Sequence, residues 1–192
     1  YIVSKFGRFV TNKMMRNIIG QSKSSFDFRK VMDERKILII RLNKGTLGEE
    51  NANFLGLLIV PRIWMAAASR TDVPEEQRPD FYLYVDEFQN FATPDFAAIL
   101  PEARKYHLNL VMANQFVGQI DDEIRQAIRG NIGTIMSYRV GDEDAPLLSQ
   151  ILGSTFSEQD LMNIDKYNLF VKTIVNNEPV PAFTMDITKD MN

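Results

Sequence analysis

Phe81-Tyr82-Leu83-Tyr84-Val85-Asp86-Glu87-Phe88-Gln89-Asn90-Phe91 is the stretch on which the reading of the fold turns. Five bulky, β-favouring residues lead without a charge into two adjacent acids. Such a run reads as a central strand buried on both faces. Two carboxylates at the tip of that strand are costly unless something offsets their charge. In open α/β sheets the carboxyl ends of the strands are where ligands bind. Where the ligand is a nucleotide, a strand-end Asp helps hold the Mg²⁺ that bridges the phosphates, and a following Glu can polarise the attacking water. The same residues also fit a strand that ends in a solvated Asp-Glu turn.

Outward from this stretch, apolar runs alternate with helical patterns. Lys36–Leu42 reads as a strand closed by Asn43-Lys44-Gly45, and residues 49–70 as a long helix apolar nearly all round, kinked or divided at Pro61. Thr93-Pro94 starts a helix that runs to about Tyr106. Leu108–Ala113 is the next strand and ends in Asn114-Gln115, about 28 residues after Asp86. One helical crossover fits that interval, so the two tips fall on one sheet edge. A helix from Asp121 to Gly130, a strand over residues 134–140 and a helix from Asp142 to Gly153 follow. Ser157-x-x-Asp160 reads as a capping box, and residues 168–175 and 180–187 as a hairpin about Asn176–Pro179. The alternation predicts an α/β fold, a three-layer, mostly parallel sheet with helices on both faces and a C-terminal β-hairpin.

The 192-residue chain suits one domain, with no internal repeat. It has no cysteine, which excludes disulfides, and a single histidine, His107, which argues against a His-rich metal site or a Ser-His-Asp triad. Its net charge of −3 hides an asymmetry. Residues 1–36 hold nine Lys/Arg against three acids, and the remainder 13 against 22. Residues 1–36 thus form a basic helical segment, either a solvated face or a footprint for a polyanion. Phe54–Ala68 is short for a membrane span and carries Pro61 and Arg62, so it reads as a buried helix. The chain starts at Tyr1 and reads as an internal piece of a longer protein.

Gly20-Gln21-Ser22-Lys23-Ser24 is not a phosphate-binding loop: the first glycine of G-x-x-x-x-G-K-[ST] is missing and no strand precedes it. Arg104-Lys105 closes the crossover helix, where a cation suits the helix dipole or, in an oligomer, reaches the next subunit's phosphates.

Phe81–Asn90, Glu102-Ala103-Arg104-Lys105-Tyr106, Leu110-Val111-Met112-Ala113-Asn114-Gln115, residues 131–145 and Lys36–Gly48 together resemble the Walker B and flanking motifs of type IV secretion coupling proteins. These are the TraG/TraD-like branch of the HerA–FtsK class of RecA-like ring ATPases. The likeness covers residues 25–150. It implies a RecA-like motor domain of which residues 37–192 are the C-terminal half, with the first strand and the Walker A loop absent. It implies ATP and Mg²⁺ as cofactors, with Asp86 on Mg²⁺ through water, Glu87 as catalytic base, Gln115 as phosphate sensor, Arg104 as an arginine acting in trans, and Arg139 as a further phosphate or inter-subunit contact. The implied partners are DNA, commonly single-stranded, further copies in a hexameric ring, and type IV secretion or relaxosome proteins. The implied location is the cytoplasm, or the cytoplasmic face of the inner membrane through an anchor outside this chain. Taken alone, the fragment is expected to bind nucleotide poorly and to hydrolyse little. A protein-translocating secretion ATPase and a catalytically silent docking module are the alternatives.

Overall fold

The computed structural model describes Gly7 and residues 11–187, apart from the side chain of Asp95. Of the basic helical segment expected over residues 1–36, residues 1–6 and 8–10 lie outside the described residues; α1, Lys13–Ile19, is capped by Asn12. The chain forms two compact units, Tyr1–Ala113 and Asn114–Asn192.

In the first unit, Asp27 caps α2 (Phe28–Asp33), its side chain accepting from the Arg29 and Lys30 amides. After the single turn of α3 (Lys44–Leu47) comes α4, Glu49–Ala68. Pro61 neither ends nor divides α4. The helix is buried along one stripe (Ala52, Leu55, Gly56, Val60, Ile63, Ala67) rather than all round. Leu57, Leu58 and Met65 on its other faces are exposed. With the 3₁₀ turn to Asp72, it is long and apolar enough on length and composition alone to cross a membrane, so the run exceeds the sequence expectation. Here it packs on α2, α3 and the next helix, α5.

Strand β1 is Phe81–Val85 and pairs in parallel with β2, Leu108–Met112, with Phe81 opposite Leu108 and Val85 opposite Met112. The crossover between them is α5, Pro94–Ala103, started by the Thr93 hydroxyl on the Phe96 amide. It continues through Pro101 and tightens to a 3₁₀ turn at Arg104–Tyr106. Tyr82, Tyr84 and Val111, which share one face of the pair, are exposed.

The expected strand Lys36–Leu42 is not in a ladder. It is extended, but no described strand pairs with it, and Ile37 and Ile39 are 92% and 87% exposed. Alternate residues Leu38, Ile40 and Leu42 instead line a cavity of about 530 Å³, which also borders β1 from Phe81 to Val85 and the α4 positions Ala52, Gly56 and Val60. Local β-propensity extends the chain; the gap beside β1 keeps the backbones from bonding.

The second unit holds α6 (Asp122–Asn131), β3 (Ile135–Ser137), α7 (Ala145–Ile151) and α8 (Glu158–Asn163). Strands β4 (Asn168–Lys172), β5 (Ile174–Val175), β6 (Glu178–Pro179) and β7 (Phe183–Asp186) follow. Helix α6 continues through Gly130, where the sequence placed its end. Ser157 and Asp160 form the expected capping box on α8. Strands run β3-β4-β7, all antiparallel, and β5 pairs with β6 around Asn176-Asn177. Both asparagines have positive φ (52° and 64°), as a two-residue turn matched to strand twist requires. The core joins Ala145, Leu148 and Leu152 of α7 and its end to Leu161 and Phe170. Asp144, itself buried, accepts from the Val117 and Gly118 amides at 3.0 Å each.

The first unit is tied by a buried cation. Arg70 is fully buried. Its Nη1 donates to the carbonyls of Pro79 (2.9 Å) and Tyr106 (3.2 Å), and its Nε lies 3.2 Å from Asp33 Oδ1. Burial pushes the guanidinium below its ordinary value, and Asp33 opposes that shift. Removing one member of a buried pair leaves the other uncompensated. Arg70→Ala should therefore lower stability by about 3 kcal/mol, since two carbonyls lose their donor. The check is the urea midpoint at unchanged slope.

Nearby, a hydrogen bond from Arg29 (2.7 Å) holds the Asp72 carboxyl below its unfolded value of 3.8. The stabilisation is complete above that value and is lost as pH falls through the lower folded one. Asp72→Asn should flatten the acid limb of the stability profile below about pH 4, with the largest loss relative to wild type at neutral pH and the difference vanishing in acid.

Candidate functional site

The parallel register sends both strands out of the sheet at the same edge. The chain leaves β1 into Asp86 and Glu87, and the turn is fixed to the end of β2: the Ala113 amide donates to Val85 O and the Phe88 amide to Ala113 O, both at 2.9 Å. Asp86 is exposed, and its Oδ1 accepts from the Glu87 amide at 3.0 Å. Glu87 is half-buried with φ 50° and ψ 44°, a left-handed conformation that a non-glycine residue adopts at some cost. A 3₁₀ turn, Phe88–Asn90, follows. In it the Asn90 side chain donates to Glu87 O (3.1 Å), and Gln89 Nε2 donates to Glu87 Oε2 (2.6 Å).

Two apolar contacts pin this turn. Phe88 is buried against Phe96 of α5, with ring centroids 5.2 Å apart. Phe91 lies on α4 at Gly56, where a Cβ would stand 2.0 Å from the ring. Only a residue without a side chain lets the ring settle there. The carboxylates open onto the cavity beside β1, where Arg41, Asn43, Lys44 and Asn90 also line the wall. The sequence reading did not single out Arg41, Lys44, Gln89 or Gly56. Arg41 and Lys44 end an apolar run as Asp86 does, and that parallel was the available signal.

Arg104 is exposed and precedes β2, whereas Asp86 and Glu87 follow β1. In a parallel pair these are opposite edges, separated by about 17 Å for five residues. Arg104 therefore does not meet the carboxylates of its own chain. At its edge, Arg78 lies 5.6 Å from the Tyr106 ring centre, and His107 Nδ1 lies 3.1 Å from Asp80. Gln115 and Arg139 belong to the second unit, both exposed, the latter two residues past β3.

Hard carboxylate oxygens at the tip suit Mg²⁺, which takes one or two carboxylates and completes its shell with waters and substrate phosphates. Among the described residues no cluster of three or more His, Cys, Asp or Glu could hold a metal without such help.

A parallel pair joined by a helical crossover, with acids at its carboxyl edge, places the chain among α/β folds, in which ligands bind at the carboxyl ends of the strands. Solved structures of the genome packaging NTPase B204 from Sulfolobus turreted icosahedral virus 2 are similar. The complex with ATP-gammaS aligns with TM-score 0.56 at 12% identity over 86% of this chain and 74% of that one. The AMPPCP complex gives 0.51 at 12% over 86% and 73%, and the sulfate complex 0.51 at 11% over 97% and 91%. At such identities the likeness is one of fold. No protein-family model and no curated protein matches the sequence.

Gly56→Ala should displace Phe91 and destabilise by about 1–3 kcal/mol, as overpacking does. In a double-mutant cycle with Phe91→Ala the two costs should fall well short of additive. Additive costs would mean that the ring does not depend on Gly56.

Proposed function

We propose that this chain is part of a DNA-translocating P-loop ATPase, of the kind that drives type IV secretion or conjugation. The observation that carries the reading is the Asp86-Glu87 turn, held at the carboxyl edge of a parallel strand pair in a fold shared with a viral genome packaging NTPase. In this reading Asp86 holds Mg²⁺ through water, and Glu87 takes the proton of the water that attacks the γ-phosphate. The metal, once bound, would neutralise charge on the phosphates. Gln115 senses the phosphate, and Arg139 is a further phosphate or inter-subunit contact.

Arg104 stands at the opposite edge from its own acids, which suits action on a neighbouring subunit of a ring. The polyanion moved is DNA, commonly single-stranded, and the basic segment over residues 1–36 favours it over a protein substrate. Type IV secretion or relaxosome proteins would dock on the ring, at the cytoplasmic face of the membrane or in the cytoplasm. The sequence holds no phosphate-cradling loop, so the reading requires one from outside these residues. The silent docking module is the reading that this gap favours.

In the full-length protein, Glu87→Gln should reduce ATP turnover by at least ~100-fold while sparing ATP binding, the scale of a lost general base. Arg104→Ala should be equally inactive as a pure ring. Mixed rings of Glu87→Gln and Arg104→Ala subunits should regain activity at the interfaces that hold one intact site. Wild-type turnover by Glu87→Gln would leave the docking module as the better account.

A further inference from the structure

We infer that Gln89 is a positioning residue for the Glu87 carboxylate, an inference that rests on the function proposed above. Gln89 Nε2 stands 2.6 Å from Glu87 Oε2, a short, charge-assisted contact. The orientation of the amide follows from the carboxylate itself. Turned over, Oε1 would face an oxygen that can only accept.

The backbone around this contact is stiff. Phe88 is buried, its amide is bonded to Ala113 O, and the Phe91 amide donates to Phe88 O at 2.9 Å. The 3₁₀ turn thus presents Gln89 back over Glu87, two residues before it in the chain. Glu87, in a left-handed conformation, has its carboxylate carried by a strained residue, and the amide restricts the rotamers that the carboxylate can sample.

Stability alone does not account for a glutamine here. Its other amide atom, Oε1, is buried without a hydrogen-bond partner among the described residues. An unsatisfied buried acceptor costs free energy, and an apolar side chain of the same length would avoid that cost. What glutamine adds over such a residue is the donor aimed at Glu87.

The test compares Gln89→Met with Gln89→Glu in the full-length ATPase. Methionine keeps the length and removes the donor. Glutamate keeps the shape and sets a second carboxylate against the first. We expect both to lower kcat about tenfold or more, the scale of one lost hydrogen bond to a charged group, with the nucleotide KM within about twofold of wild type. We also expect an unfolding midpoint for Gln89→Met no lower than wild type, which separates positioning from a structural role. Wild-type kcat in folded Gln89→Met would overturn the inference, as would a fall in kcat matched by a fall in stability. Glu87→Gln serves as the reference: if it is inactive while Gln89→Met is fully active, only the positioning role fails. If Glu87→Gln itself turns over normally, the proposed base and its positioning residue are both overturned.

Discussion

A fully buried arginine decides where the strands of the first unit begin. Arg70 bonds the carbonyl of Pro79, just before β1, and that of Tyr106, just before β2. Arg78 repeats the pattern, donating to Val73 O, Arg70 O and Lys105 O. One planar cation that serves two carbonyls sets their separation, because its N–H groups sit in a fixed fork. The two strands therefore enter the sheet level with each other, and Phe81 falls opposite Leu108. Asp33 of α2 supplies the opposing charge, so the buried guanidinium also anchors that helix to the end of α4. A charge in this position is expensive to bury, and its partners are what make it tolerable.

The consequence appears at the far edge. Two strands of equal length that start level also end level, so Val85 and Met112 finish together and Ala113 can bond both Val85 and Phe88. That pair of bonds bends the chain sharply after β1 and brings Glu87 into a left-handed conformation. The cost of the bend is offset by the burial of Phe88 against Phe96 and by Phe91 on Gly56. The turn that carries the acids is thus held by apolar neighbours on either side of it in sequence and space.

Much of this was legible in the sequence, for physical reasons that differ by element. The apolar run ending in Asp86-Glu87 announced β1, but not its setting: the run predicts a central strand buried on both faces, whereas Tyr82 and Tyr84 are exposed and β2 is its one described neighbour. Thr93 and the Ser157–Asp160 box were legible because capping is a local interaction. What misled was what depends on distant partners. Lys36–Leu42 has strand propensity, but a ladder needs a neighbour at bonding distance, and a cavity intervenes. Gly130 reads as a helix stop, and α6 ends one residue beyond it, at Asn131. The burial of Arg70 was not legible, since nothing in its local sequence reveals that Pro79 and Tyr106 will converge on it. At the site, Asp86 and Glu87 were visible by residue type and place. Gln89 and Gly56 were not, because their parts depend on a side-chain geometry that spacing alone does not reveal.

The two edges of the strand pair also bear on how many copies the proposed chemistry needs. The Arg70 knot and Arg104 lie at the entry edge, the acids at the exit edge, about 17 Å away along the strands. No side chain spans that distance, and the knot leaves no freedom to slide β2 relative to β1. An arginine at the entry edge can thus neutralise a developing phosphate charge only in another molecule. Within that reading, the same interaction that levels the strands and completes the acidic turn also keeps Arg104 from the acids of its own chain. Under the role proposed for Arg104, association would then be a requirement of the chemistry rather than a refinement of it.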